Sequence, residues 1–223
     1  MKKTNIVKTL IAIAAVAAIN SVNAADSASG NVKAGYSNEN FYRGADLGNE
    51  TLNVSANVKG SVSGVSVFGG VTTAQAINAG ADQYYINAGV ASSLFEDSLD
   101  VTGGYLHSES VSGDAIGELF ATATGNVLLS PTLAAYYELD DQLWTFELGV
   151  KHELDLEVVG LCLHASVGDT EITSSTDRTY YTVGANVTRG LTDDVDLIAS
   201  VDRIDADDSD DETVFAVGIN VKF

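Results

Sequence analysis

The chain has 223 residues and carries 31 acidic against 11 basic side chains, a formal net charge of −20 at pH 7. Such a charge repels nucleic acid, and the single cysteine excludes both a disulfide framework and a cysteine-based zinc site. With 45% apolar residues the chain is too hydrophobic to be disordered, and its length fits one domain or two small ones.

The first residues have the three parts of a secretory signal peptide. Lysines follow the initial Met, residues 10–19 are apolar, and residues 21–24 supply the small side chains that a signal peptidase recognises. The apolar run is too short to span a bilayer. We therefore predict a cleaved leader at residues 1–24. The exported remainder, residues 25–223, is then either water-soluble or a membrane β-barrel.

After the leader, apolar residues recur with period two, which indicates strands rather than helices. In residues 52–59, for example, Leu, Val, Ala and Val alternate with Asn, Ser, Asn and Lys. The connections after even-numbered strands are short, and those after odd-numbered strands are mostly longer and polar. Ten strands are the alternative if one bent strand has been divided in two. The twelve predicted strands are residues 31–44, 51–60, 65–72, 83–94, 99–106, 117–128, 132–139, 143–153, 158–167, 178–188, 195–203 and 213–223.

Aromatic residues on the apolar face separate a membrane barrel from a soluble sandwich. Odd-numbered strands run toward the long connections, so aromatics that end these strands or begin the even-numbered ones share one end of the molecule. Amphipathic aromatics prefer the membrane interface. We therefore predict an all-β fold, a transmembrane antiparallel up-and-down β-barrel. The predicted lipid-interface girdle is Tyr42, Tyr84, Tyr105, Tyr137, Trp144, Phe146, Tyr181 and Phe215.

The last strand resembles the terminal strand of Gram-negative outer-membrane proteins. Phe215, Val217, Ile219, Val221 and Phe223 share one face, and the chain ends on an aromatic residue. The resemblance implies that Phe223 is an assembly signal read by the barrel-assembly machinery. It also implies an outer-membrane location among lipids and lipopolysaccharide. An even number of strands then leaves both termini on the periplasmic side.

A second resemblance lies near the start of the predicted barrel. The segments Gly35-Tyr36-Ser37 and Phe41-Tyr42-Arg43-Gly44 are followed by a polar loop and a strand rich in small residues. They are similar to the opening of the TorF-type family of small porins, in which a Tyr-x-x-Arg-Gly-like segment recurs. The resemblance covers a small part of the chain and implies a porin-like barrel.

Alternation places charged and aromatic side chains on the inward face. The predicted pore-lining residues are Lys33, Arg43, Lys59, Asp100, Glu118, Glu138, Glu147, Lys151 and Asp196. The predicted constriction aromatics are Phe41, Phe68, Phe120, Tyr136 and Tyr180. Such a lumen is narrow and mildly acidic, and the chain has few arginines to attract acidic sugars. We therefore predict passive, porin-like diffusion of small polar solutes or cations.

Two further interpretations concern the lumen and the loops. Inward charges that pair completely would plug the barrel. A closed barrel would then act as an adhesion, receptor or structural surface through its acidic loops. In the last long loop, the acidic run is either a solvated segment or a weak Ca²⁺ site formed by Asp207, Asp208, Asp210 and Asp211.

A hydrolase is the remaining alternative. His164 and Ser166 have the His-x-Ser spacing of the outer-membrane phospholipase, and Asn186 lies on the next predicted strand. The resemblance implies that His164 and Ser166 would be the catalytic residues of this chain. However, the triad of that family faces lipid, whereas here parity turns both residues inward. We therefore expect no enzyme activity, and we assign no catalytic residue and no cofactor.

Overall fold

A computed structural model describes residues 27–62, 65–78, 82–110, 115–173 and 175–223. The predicted leader lies outside these residues. Each strand pairs antiparallel with its neighbours in sequence, and β1 pairs with β12, so the sheet closes into a barrel. The predicted twelve-stranded β-barrel is therefore confirmed, and the ten-stranded alternative is wrong. The strands are β1 (Ser27–Tyr42), β2 (Ala45–Val62), β3 (Val65–Ala76), β4 (Gln83–Leu94), β5 (Leu99–Ser110), β6 (Ala115–Gly125), β7 (Thr132–Glu138), β8 (Trp144–Asp155), β9 (Gly160–Thr173), β10 (Thr176–Gly190), β11 (Val195–Ala206) and β12 (Ser209–Lys222).

The barrel carries its large apolar side chains on the outside. Val90, Leu148 and Val183 are each more than half exposed, whereas the buried residues include Thr51 and Glu118. A soluble sandwich would bury the apolar face instead. Closed sheets with an apolar outer face suit lipid, because every backbone group is bonded within the sheet. In the described ranges, no helix is long and apolar enough to cross a membrane.

The first hairpin differs from the prediction. In place of a long polar loop, β1 and β2 continue to a two-residue turn, Arg43–Gly44, in which both φ angles are positive (51° and 75°). Positive φ at both central positions is the type I′ geometry that matches the twist of paired strands. The ladder register shifts between Glu39 and Phe41, and Gly48 has a φ of 116°. Such irregularities bend a hairpin.

The walls of the barrel differ in height. Strand β2 has 18 residues, whereas β7 has only seven. The bent β1–β2 hairpin therefore rises well above the opposite wall, within reach of β6 and β7.

The last hairpin is also longer than predicted. Strands β11 and β12 extend into the acidic run and leave only Asp207–Asp208 as the turn. The backbone N–H of Asp207 donates to the carbonyl of Thr179 at 3.1 Å. The guanidinium of Arg178 donates two hydrogen bonds of 2.6 Å to the carboxylate of Asp208. The turn is thereby docked on β10.

Candidate functional site

The tip of the β1–β2 hairpin bends into the lumen and contacts the opposite wall. The hydroxyl of Tyr42 donates to Oε2 of Glu118 at 2.8 Å, and the guanidinium of Arg43 donates to both carboxylate oxygens of Glu118. Four strands lie between β1 and β6 on the shorter way around the sheet. These bonds therefore cross the barrel interior. We call Tyr42, Arg43 and Glu118 the tip contact.

The cation of the tip contact is held by aromatic rings as well as by the carboxylate. The guanidinium carbon of Arg43 lies 3.9 Å from the ring centroid of Tyr136 and 4.6 Å from that of Tyr42. The side chains of Arg43 and Glu118 are only 12% and 5% exposed. Removing one member of such a buried ion pair costs about 3–5 kcal/mol, because the other charge is left uncompensated. The tip is therefore firmly anchored.

The prediction that Tyr42 belongs to the lipid girdle is wrong. Its hydroxyl bonds to Glu118 and its ring lies 5.9 Å from that of Tyr85, both inside the barrel. The register shift near Phe41 breaks the period-two pattern on which the prediction depended. Phe41 lies directly after this register shift, and its place in the predicted constriction stays a prediction.

Tyr180, on β10, also packs against the hairpin tip. It is 3% exposed, and its hydroxyl donates to Oε2 of Glu147 at 2.8 Å. Its ring lies over Gly168, where a β-carbon would come within 2.1 Å of the ring. A β-carbon on Gly44 would lie 2.6 Å from Cβ of Tyr180. The tip therefore approaches β10 so closely that only glycine fits at position 44.

The other predicted constriction aromatics form a row on the wall. Ring centroids lie 6.4 Å apart between Phe68 and Phe120, and 6.3 Å apart between Phe120 and Tyr136. A β-carbon at Gly89 or Gly104 would lie within 3 Å of the rings of Phe68 and Phe120, respectively. The rings therefore lie flat over glycines, and the row leads from the tip contact along the wall.

Cavities lie beside the tip contact and at the other end of the barrel. Beside the tip contact, a cavity of about 130 Å³ is lined by Arg43, Glu118, Glu138, Glu171 and Arg178, among others. A cavity of about 580 Å³ lies at the β6–β7 turn, where it is lined by residues 126–130 and by the adjacent ends of β5, β6 and β8. The smaller cavity adjoins the tip contact, whereas the larger one lies at the other end of the barrel.

The remaining predicted pore-lining charges have inward register. Glu138 lies directly opposite Glu118, and Lys151 directly opposite His164. The bonds nearer the short turns join residues of the same or neighbouring strands. They are Asp100 with Ser93, Lys151 with Glu153, and Asp196 with Asn220 and Lys222. Lys33 lies opposite Asn220 and Ser55, and Lys59 opposite Phe68. Whether these residues line a conducting pore stays a prediction.

The other predicted girdle residues lie on the outer face. Tyr105, Trp144, Phe146, Tyr181 and Phe215 are exposed. Tyr84, next to inward Tyr85, and Tyr137, next to inward Tyr136, have outward register, and the ring of Tyr137 lies 4.7 Å from that of Trp144.

The chain terminus completes the barrel. The backbone N–H of Gly30 donates to the carbonyl of Phe223 at 2.8 Å, and the N–H of Phe223 donates back at 3.0 Å. The last residue therefore continues the β1–β12 pairing. Its role as an assembly signal stays a prediction.

His164 is engaged by residues other than Ser166. Its Nε2 lies 2.7 Å from Oδ1 of Asp202, and its Nδ1 lies 3.4 Å from Nδ2 of Asn186. Asp202 and His164 meet across Gly184, which pairs with both. Both ring nitrogens of His164 therefore lie against groups other than Ser166.

Two acidic residues near the last turn form ion pairs with arginines. Asp208 bonds to Arg178, and Asp211 forms an ion pair with Arg203. The hydrogen bonds from Arg178 hold the pKa of Asp208 below its usual range. Within the described part of the chain, no group of three or more His, Cys, Asp or Glu side chains is arranged to hold a metal ion. The Ca²⁺ alternative at Asp207, Asp208, Asp210 and Asp211 therefore gains no support from the geometry.

The closed twelve-stranded barrel with an apolar outer face defines the chain as a transmembrane β-barrel in fold, and solved structures share that fold. A KdgM porin in complex with disordered oligogalacturonate is 12% identical, with a TM-score of 0.58, covering 87% of this chain and 99% of that one. NanC porin is 12% identical, with a TM-score of 0.56, covering 87% and 100%. The COG4313 outer membrane channel from Pseudomonas putida F1 is 7% identical, with a TM-score of 0.60, covering 88% and 95%.

Sequence comparison gives no family. No protein-family model matches the chain, and no curated protein matches it. The resemblance to the TorF-type family therefore stays a prediction. At these identities the structural similarity establishes the fold alone.

Proposed function

We propose that the protein is an outer-membrane channel of the porin type, which passes small polar solutes or cations passively. The observation that carries the proposal is a polar inward face, with a cavity of about 130 Å³ beside the cross-barrel contact and one of about 580 Å³ at the opposite end of the barrel. A barrel of this size is intermediate between filled eight-stranded barrels and open sixteen-stranded ones. The tip contact would then be the constriction that sets the size of the solute.

The charge at the proposed constriction favours cations. Glu118, Glu138 and Glu147 lie at or near the tip contact, and Arg43 is the cation that pairs with Glu118. Rings of carboxylates favour cations in channels. One of the structurally similar porins was solved with oligogalacturonate, a polyanion. The surplus of carboxylates here predicts that such a polyanion is repelled.

The proposed location is the outer membrane of a Gram-negative bacterium, with both termini on the periplasmic side. The exposed apolar face and the outward aromatics support contact with lipid and, at the outer surface, with lipopolysaccharide. The structurally similar proteins are porins and an outer membrane channel by name. Delivery would involve the barrel-assembly machinery.

A closed barrel with a surface role is the second candidate. The tip contact itself favours it, because a buried Arg–Glu pair that crosses the lumen is a plug if it never opens. The acidic outer turns would then be the functional surface.

Conductance in planar bilayers distinguishes the two candidates. The protein would be expressed from its full gene, purified from membranes and shown to be folded by its heat-modifiable migration. The channel proposal predicts discrete steps and a reversal potential that favours cations in a salt gradient. Silence from the folded protein, with loop deletions altering the phenotype in cells, would overturn the channel proposal in favour of the closed barrel.

A further inference from the structure

The surroundings of Arg43 match the needs of a bound organic cation. The guanidinium lies over the rings of Tyr136 and Tyr42 and is bonded to the carboxylate of Glu118. Aromatic faces attract cations, most strongly where water is excluded. A guanidinium is weakly hydrated and its charge is delocalised, so it loses less hydration free energy on leaving water than a small inorganic ion does.

The occupant of this site is carried by a hairpin turn and not by the barrel wall. Arg43 is the first residue of a two-residue turn, whereas Glu118 and Tyr136 lie in the barrel wall. Two walls of the site, Glu118 and Tyr136, therefore belong to the barrel, whereas Arg43 and the ring of Tyr42 belong to the hairpin tip. A cation from solution that occupied the same position would compete with Arg43 directly.

Removal of Arg43 would leave two neighbouring carboxylates without a compensating positive charge. Glu118 is 4% exposed, and Glu138 lies directly opposite it in the β6–β7 ladder. Two neighbouring carboxylates, one of them buried, are costly unless a cation or a proton compensates them. The cavity of about 130 Å³ beside Arg43 and Glu138 provides a path by which a small solute can reach the carboxylates.

We propose that this site binds the guanidinium or ammonium group of small organic cations, and that Arg43 is its tethered occupant, which such a solute displaces. The inference rests on the proposed channel function and names its substrate class. Once Arg43 is displaced, the tip keeps only the hydrogen bond from Tyr42 to Glu118, and the lumen opens when that bond also breaks. The ring row Tyr136, Phe120 and Phe68 then offers successive aromatic faces along the wall.

Chemical rescue tests the site directly. Calorimetric titration of the purified, detergent-solubilised protein with methylguanidinium would compare wild type with Arg43→Ala. We expect the variant, whose site is vacant, to bind at least about tenfold more tightly than wild type, which corresponds to about 1.4 kcal/mol. Methylurea, which is neutral and of similar shape, should not bind. Arg43→Ala combined with Glu118→Gln should lose the binding of methylguanidinium.

Two controls keep the result specific. Lys222→Ala removes a basic group from a carboxylate near the short turns, Asp196, to which Asn220 also donates. This variant should gain no affinity for methylguanidinium. Arg43→Gln, which keeps most of the side-chain length without the charge, serves as the second vacant-site variant if Arg43→Ala does not fold.

The outcomes separate this inference from the channel proposal. If folded Arg43→Ala and Arg43→Gln bind methylguanidinium no better than wild type, or bind methylurea equally well, the site is not a cation receptor. Tight binding by a barrel that conducts no ions supports the site and overturns the channel. Steady conductance without binding supports the channel and overturns the site.

Discussion

The upper lumen, at the end of the β1–β2 hairpin tip, and the lower lumen, at the end of the chain termini, are lined by the same alternating pattern but are organised differently. In the upper lumen, bonds from Tyr42 and Arg43 cross the interior to Glu118. In the lower lumen, bonds join adjacent strands, as between Asn31 and Asn220 at 2.7 Å. Alternating strand residues are therefore enough to line the lumen with polar side chains. Constricting the lumen requires a segment that leaves the wall, as the β1–β2 hairpin tip does.

The two regions also differ in what stabilises them. The lower lumen is maintained by the closed ladder, in which every strand has two neighbours. The upper contact depends on one hairpin tip and on one buried ion pair. We therefore expect changes at the tip to alter conduction most strongly, and changes in the lower wall to act on barrel stability rather than on conduction.

The largest effect is expected from Gly44→Val. A β-carbon there would collide with Tyr180, and a β-branched residue at a φ of 75° adds about 1–3 kcal/mol of strain. The tip should leave the lumen, and single-channel conductance should rise several-fold. Gly190→Val is the matched control, because a β-carbon there meets nothing closer than 3.9 Å. Equal conductance of the two variants would show that the tip does not constrict the lumen.

Ion selectivity should respond to Glu147→Lys. Glu147 accepts a hydrogen bond from Tyr180 beside the tip. Reversal of its charge should shift the reversal potential in a salt gradient toward anions. Glu157→Lys, an exposed position in the β8–β9 turn, makes the same charge change away from the lumen and should have little effect. An unchanged reversal potential in Glu147→Lys would remove this residue from the pore.

Gly184→Ala should weaken the wall and leave conduction unchanged. A β-carbon there would lie 2.0 Å from Oδ1 of Asp202 and 2.8 Å from Nε2 of His164, so their contact must open. Loss of a hydrogen bond to a charged group lowers the free energy of unfolding by about 1.5–3 kcal/mol. Unfolding in urea would measure this loss of free energy of unfolding. The control is Gly149→Ala, where the nearest atom lies at 3.6 Å. If both alanine variants unfold alike, the His164–Asp202 contact does not stabilise the wall.

The smallest effect is expected from Asp208→Asn in the outer turn. Its carboxylate is 39% exposed, and exposed ion pairs contribute about 0.2–1 kcal/mol. Because Arg178 lowers the pKa of Asp208, the stabilisation is complete above the unfolded pKa of about 3.9. It is lost as the pH falls through the folded pKa. Thermal unfolding should therefore separate wild type from the variant near neutral pH but not in strong acid; a difference that persists in acid would contradict this assignment.

The barrel could be predicted because its determinants are local. Period two, the short connections and outward aromatics such as Trp144 and Phe215 depend only on neighbouring residues in the sequence. The inward positions of Glu118, Glu147 and Tyr180 follow from the same alternation. The strand count and the lumen face were therefore accessible without a structure.

The tip contact could not be predicted, because it depends on a broken register and on a pairing distant in sequence. The shift near Phe41 reverses the expected orientation of Tyr42. No local signal pairs Arg43 with Glu118. One signal was available and missed: Arg43-Gly44 between two apolar-rich strands fits a two-residue hairpin turn. Tyr85, which lies against Tyr42, was also missed, although its inward parity could be read from the alternation of β4.

The most direct test of the constriction compares two double variants in single-channel recordings. Arg43→Ala with Glu118→Ala removes the ion pair that crosses the lumen, and Lys222→Ala with Asp196→Ala removes one between neighbouring strands. Neither double variant leaves a member of its pair unpaired. We predict a several-fold rise in conductance for the first double variant and a value close to wild type for the second. Equal conductances in two folded barrels would contradict the claim that the hairpin tip constricts this lumen.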